Sequence, residues 1–130
     1  MGVPGGAFLF LWHLGTFLNS DATPQQPNGT LLNYIDQPDS FADTSSTTLL
    51  AASTFRFACI AGDNTHIPAA IAALRLIQDS IDSEGWLQNT VDPETFSAPS
   101  PPGTHSPEGQ SFVLLLQAAA SEWESSRKNH

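Results

Sequence analysis

The sequence predicts an all-α fold built from helical hairpins, and three observations carry that prediction. Three segments have helix-start and helix-stop residues at matching ends. Those helices differ in how widely their apolar residues are spread. The loops between them alternate between short and long.

Asp43, Thr44 and Ser45 can cap a first helix running to about Ala61, and Gly62 ends it. Pro68 suits a first helical position. From it Ile71, Leu74, Ile77, Gln78 and Ile81 mark a helical stripe over about 67–82, which Gly85 closes. Ser106, Pro107 and Glu108 open a third helix with a capping hydroxyl, an N-terminal proline and an early acid. It runs to about residue 124, with Phe112, Val113, Leu115, Leu116, Ala119 and Trp123 spread around most of it. Gly6 to Leu18 reads as the end of an earlier helix. Within it Ala7–Leu14 is apolar but too short to span a membrane. It could also be a secretion-signal core, although no Lys or Arg precedes it and no clear small-residue cleavage site follows.

Two stretches repeat. Leu32, Ile35, Asp36, Pro38, Asp39, Ser40 and Phe41 are matched in order by Leu87, Val91, Asp92, Pro93, Glu94, Thr95 and Phe96. Each leads to a Leu/Ala-rich helix, and recurrence of this kind marks a repeat architecture. The helices at about 44–61 and 107–124 are apolar nearly all round, as inner helices are. The one at about 67–82 is one-sided, as outer helices are. Inner to outer takes the tight turn Gly62–His66, and outer to inner takes the long excursion Gly85–His105. Loops that long inside a compact fold are usually functional.

This is the unit of an α/α toroid, whose long loops gather at one end. A ring of about six such hairpins would need well over twice this length. The 130 residues therefore read as the C-terminal fragment of one (α/α)6 toroid domain, with 1–24 a remnant of a preceding helix and linker. Composition agrees: only 13% of residues are charged, against about 25% in typical domains.

Charge excludes several functions. Four Lys and Arg against thirteen Asp and Glu give a net charge of −9, so no basic patch for nucleic acid can be assembled. Cys59 is the sole cysteine, which excludes an internal disulfide and a CxxC zinc site. His13, His66, His105 and His130 lack metal-ligand spacing. No metal, no cofactor and no membrane span are expected. Asn28-Gly29-Thr30 is a glycosylation sequon, relevant only to a secreted chain.

Three segments resemble the six-hairpin glycosidases of the unsaturated rhamnogalacturonyl hydrolase type, glycoside hydrolase families 105 and 88. Ser40 to Thr48 is similar to that family's acid-Thr-Ser-x-Thr-Ala opening of an inner helix, with Thr48 where the family usually has Ala. The others are Gly85 to Pro93 and Gly103 to Leu115. The resemblance implies a hydrolase of carbohydrate metabolism acting on unsaturated uronyl oligosaccharides from pectin. A carboxylic acid protonates the C4–C5 double bond, water adds at C5 with a carboxylate as base, and the hydrated sugar rearranges and releases the aglycone. That step needs a carboxyl group with a raised pKa. The family's catalytic Asp lies on an earlier inner helix, so no residue here matches it. The fragment is expected to be inactive alone.

Asp43, Thr44, Ser45, His105, Ser106 and Glu108 are the candidate substrate-binding residues, because they stand at the long-loop ends of the inner helices. Capping alone accounts equally for Asp43, Thr44, Ser45, Ser106 and Glu108. Helix N-termini also suit a carboxylate. Trp86 either stacks on a sugar or fills the ring wall, and Trp123 and Cys59 read as packing. The expected partner is an oligosaccharide, and exposed inner-helix surface is expected to associate. Two alternatives remain: a catalytically dead carbohydrate-binding or structural remnant, and a helical interaction module of the terpenoid-cyclase type of toroid.

Overall fold

The computed structural model describes residues 25–34 and 36–129. The chain runs β1 (Leu31–Leu32), β2 (Ala42–Asp43), α1 (Thr44–Ala61), α2 (Ile67–Asp79) and α3 (Pro107–Lys128). The expected earlier helix at Gly6 to Leu18, the Ala7–Leu14 alternative and the rest of 1–24 lie outside the described residues.

Helix α1 starts and stops where its local chemistry dictates. Asp43 is the N-cap and accepts from the Ser45 and Ser46 amides. Gly62 ends the helix in the left-handed region at φ 68°, and its N–H donates to the Ala58 carbonyl at 2.9 Å. The buried hydroxyls are satisfied by the turn before them: Thr47 donates to the Asp43 carbonyl at 2.7 Å and Thr48 to that of Thr44 at 2.6 Å. Thr48 can thus replace an alanine at a fully buried position without stranding its hydroxyl.

Helix α2 follows an Asx-type turn in which Asp63 accepts from the Thr65 amide and hydroxyl. Its buried residues, Ile67, Ala70, Ala73 and Ile77, lie on one side, as an outer helix requires. It ends at Asp79, short of the expected 82. Ile81 instead pairs antiparallel with Leu87, and the Asp82 carboxylate accepts from the Glu84 and Trp86 amides, so a turn replaces the last helical residues. Helix α3 runs past 124 to Lys128, and Arg127 and Lys128 in its last turn favour the helix dipole. Gly29, at φ 98°, lets the segment before β1 touch α2: a Cβ there would stand 2.8 Å from the Ala72 carbonyl oxygen. Gln25 fastens the same segment by donating to the Ala69 carbonyl at 3.0 Å.

The inner helices α1 and α3 lie side by side, and α2 packs across α1. Phe55, Ile77, Leu87 and Leu116 are at most 1% exposed and anchor the core. Each such side chain contributes about 1.5–3 kcal/mol by burial. Phe55 meets Trp123 at 5.6 Å between ring centroids, and the Trp123 indole donates to Asn64 Oδ1 at 2.9 Å. Arg56 pairs with Glu122 one residue from that contact. The later halves of α1 and α3 therefore face each other, so the helices are parallel. Helix α3 was expected to be apolar nearly all round, and it is, but Leu114 and Leu115 are 63% and 53% exposed. A groove of about 410 Å³ runs between α2 and α3, lined by Leu74, Ile77, Ile81, Val113, Leu116 and Ala120 among others.

Candidate functional site

Two parallel inner helices put both N-termini, and every long loop, at one end. What holds them there is the segment Gly85 to Val91. Asn89, in the left-handed region at φ 62°, accepts from the Thr44 amide at 3.1 Å. Gln88 accepts from the Thr44 hydroxyl at 2.7 Å. Val91 N–H donates to Asp43 Oδ1 at 3.1 Å. Helix α3 grips the same segment through Gln110, which accepts from Leu87 N–H at 3.1 Å and donates to the Gly85 carbonyl at 2.7 Å. One loop thus ties the two helix starts together.

The six sequence-derived candidates fall into two groups at this end. Asp43, Thr44 and Ser45 are buried. Asp43 Oδ1 accepts from the Ser45 amide at 3.0 Å, the Ser45 hydroxyl at 2.6 Å and Val91 N–H, and Oδ2 accepts from the Ser46 amide at 3.1 Å. With the Thr44 amide given to Asn89, the first three amides of α1 are all committed within the chain. This differs from the expectation that helix N-termini here suit a carboxylate, and the cause is the cap itself. Ser106, half-buried, caps α3 by accepting from Gly109 N–H at 3.0 Å. Gly109 sits so close to this cap that a Cβ would lie 3.1 Å from Ser106 Oγ. His105 and Glu108 are exposed beside it.

His105 has partners the sequence does not reveal. Its ring stacks on Trp86 at 4.2 Å between centroids and 7° between planes. Its Nε2 stands 3.6 Å from a Glu84 carboxylate oxygen. Trp86 and Glu84 precede His105 by about twenty residues in the long loop, so only the folded loop brings them together. Among the described residues His105 is the one group at this end that can carry positive charge. Arg56 is engaged with Glu122, Arg75 lies on the exposed side of α2, and Arg127 and Lys128 are at the far end of α3.

A second feature lies before α1. Asn33 Nδ2 and the Tyr34 hydroxyl both donate to the Phe96 carbonyl, at 2.9 and 3.3 Å. Phe96 is held at φ 55°, a costly conformation for a residue with a Cβ. This pins the Phe96 loop against the β1–β2 loop and leaves a pocket between them. No group of three or more His, Cys, Asp or Glu side chains able to hold a metal occurs among the described residues, and none of their helices is long and apolar enough to cross a membrane.

No protein-family profile matches this chain, and no curated protein does. Solved structures do match. One is the structure of a possible member of the GH105 family from Salmonella enterica serovar Paratyphi A, with a TM-score of 0.71 and 21% identity over 87% of this chain and 30% of that one. Another is that of a possible GH105 member from Klebsiella pneumoniae, with a TM-score of 0.65 and 21% identity over 98% of this chain and 35% of that one. The chain thus spans about a third of the length of the structures it matches. It has the fold of a partial all-α toroid, and that fold is the one of these GH105 structures.

Proposed function

We propose that this chain forms the closing part of a glycoside hydrolase toroid that acts on unsaturated uronyl oligosaccharides. The observation that supports this reading is the parallel pair of inner helices whose starts are tied to one long loop, in a fold that follows the GH105 structures over most of the chain. In the reaction, an acid protonates C4 of the double bond and water adds at C5. The acid belongs to hairpins outside this chain. Asp43 is spent on capping and on Val91, so it orders the cleft floor rather than transferring a proton. His105 meets the uronate carboxylate, with Trp86 setting its ring plane. Ser106 holds the start of α3, and Glu108 borders the cleft. The exposed leucines of α3 associate with apolar helix surface from the rest of the ring.

The test compares the 130-residue chain with a longer form carrying upstream hairpins, at equal concentration. Loss of the ultraviolet absorbance of the conjugated double bond is followed over time. The longer form should consume it and the short chain should not, since losing the general acid alone removes a factor of roughly 10² to 10⁴. Turnover by the short chain that Asp43→Asn or Glu108→Gln abolishes would overturn this placement of the chemistry. A longer form that binds the sugar but never consumes the double bond would favour a dead, carbohydrate-binding remnant.

A further inference from the structure

The pocket between the β1–β2 loop and the Phe96 loop has a volume of about 520 Å³, within the usual range for small-molecule sites of roughly 300–1,000 Å³. Tyr34 and Phe41 supply its rings, and Asp36, Asp39, Gln37 and Ser97 supply polar groups. It lies at the long-loop end, since Phe41 stands two residues before the α1 N-cap. Its Tyr34 wall is held by the hydroxyl bond to the Phe96 carbonyl, so the ring is positioned before any ligand arrives.

We infer that this pocket is a subsite for a neutral sugar residue, separate from the place where the uronate carboxylate binds. The choice of a sugar as ligand rests on the glycosidase reading. The choice of a neutral one rests on the pocket. A sugar ring presents C–H faces to aromatic rings and hydroxyls that both donate and accept. Carboxylates accept from those hydroxyls, while the Gln37 amide and the Ser97 hydroxyl can donate to them. No Lys, Arg or His lines the pocket. A uronate there would face Asp36 and Asp39 with no counter-charge. Two like-charge contacts at a solvated surface, each a few-fold in affinity, disfavour it by about tenfold. The neutral residue of a mixed oligosaccharide is therefore held here, and its charged neighbour is directed elsewhere.

Rings and carboxylates together could also attract an organic cation. Such sites enclose the cation in aromatic faces. Here there are two rings, and a substantial part of the lining is polar. The sugar reading is favoured, and the cation becomes an outcome of the test.

Binding is measured on the full chain by amide chemical-shift titration with three probes: methyl α-galactoside, methyl α-galactosiduronate and choline. The first two differ only at C6. The galactoside should shift Tyr34, Phe41 and Ser97 saturably, with the uronate about tenfold weaker. Asp36→Asn with Asp39→Asn should remove most of that difference. Tyr34→Phe, which loses the Phe96 bond but keeps the ring, should still bind, whereas Tyr34→Ala should weaken the galactoside about tenfold or more. Equal binding of galactoside and uronate, saturable shifts confined to other residues, or no saturable shift would overturn the inference. Choline bound more tightly than galactoside, and lost in the double Asn variant, would make this a cation site instead. The double-bond assay is independent of these outcomes. An inactive longer form with an intact galactoside site would defeat the glycosidase reading alone.

Discussion

Replacing Asp43 with alanine should be among the most damaging single polar substitutions in the chain. The carboxylate is 2% exposed and accepts four hydrogen bonds. Losing the N-cap costs about 1–2 kcal/mol. The Val91 amide also loses its partner, and a stranded buried donor costs about 1–3 kcal/mol. Val91 is half-buried, so the lower end applies. The sum is about 3 kcal/mol, and at about 4–8 °C per kcal/mol for a chain of this size the melting temperature falls by roughly 12–24 °C. Asp43→Asn keeps an equally good cap but exchanges one acceptor oxygen for a donor, and should cost about 1–2 kcal/mol. Ser106→Ala is the internal control. That cap bonds only Gly109 and should cost about 1 kcal/mol. Urea unfolding followed by circular dichroism gives the three values, and hydrogen exchange at Val91 reads the loop tie directly. If Asp43→Ala costs no more than Ser106→Ala, or if Val91 exchange is unchanged, the tie between α1 and the loop contributes nothing and the reasoning fails.

Further outcomes follow from single contacts. Gly29→Ala forces a Cβ to within 2.8 Å of the Ala72 carbonyl and strains a φ of 98°. It should destabilise by about 2 kcal/mol or more in the same unfolding assay, and an unchanged midpoint would mean that the 25–31 segment does not rest on α2. The Thr65 hydroxyl, then its amide, hold the Asp63 carboxyl below its ordinary value near 3.8. The stability this carries is present above that value and is lost as pH falls through the lowered one. Thr65→Val should raise the Asp63 titration midpoint in a carboxylate NMR titration, and no change would remove the hydroxyl as the cause. Leu114→Lys with Leu115→Lys should leave stability within about 0.5 kcal/mol, since both side chains are exposed. The same variant should shift the chain toward monomer in light scattering, whereas unchanged association would place the sticky surface elsewhere.

The parts of this fold that the sequence makes legible are those decided within one or two turns of chain. Asp43, Gly62, Ser106 and Pro107 announce helix ends because a cap is a local hydrogen bond and a left-handed stop needs a glycine. The end of α2 was misplaced for the opposite reason. Ile81 continues the helical stripe, but it pairs with Leu87, and Asp82 captures the Glu84 and Trp86 amides. Periodicity cannot distinguish a last helical turn from a bridge with the same apolar residue. Gln110 was missed altogether, since a glutamine two bonds deep in a loop three turns of argument away looks like any surface residue of α3. The stack of Trp86 on His105 and the strain at Phe96 were hidden likewise, because each depends on two loops meeting.

The loop tie has a consequence for anion recognition. A helix N-terminus attracts a carboxylate only while its amides are free, and α1 has given its first three to Asn89 and Asp43. In α3 the first residue is a proline without an amide, and the Gly109 and Gln110 amides go to the Ser106 hydroxyl and carbonyl. Recognition of a uronate at this end then falls to His105, whose nearest carboxylate, on Glu84, is at 3.6 Å and largely exposed, a weak contact that a ligand can displace. His105→Gln should weaken binding of methyl α-galactosiduronate to the full chain roughly fivefold, an amount typical of an exposed ion pair, and leave the neutral galactoside unchanged. His105→Lys should restore the uronate affinity without the ring. Trp86→Ala should weaken it as well, because the imidazole loses the face that orients it. If His105→Gln weakens both sugars alike, the histidine is a packing residue of the loop, and the charge that holds the uronate must come from residues outside this end of the described structure.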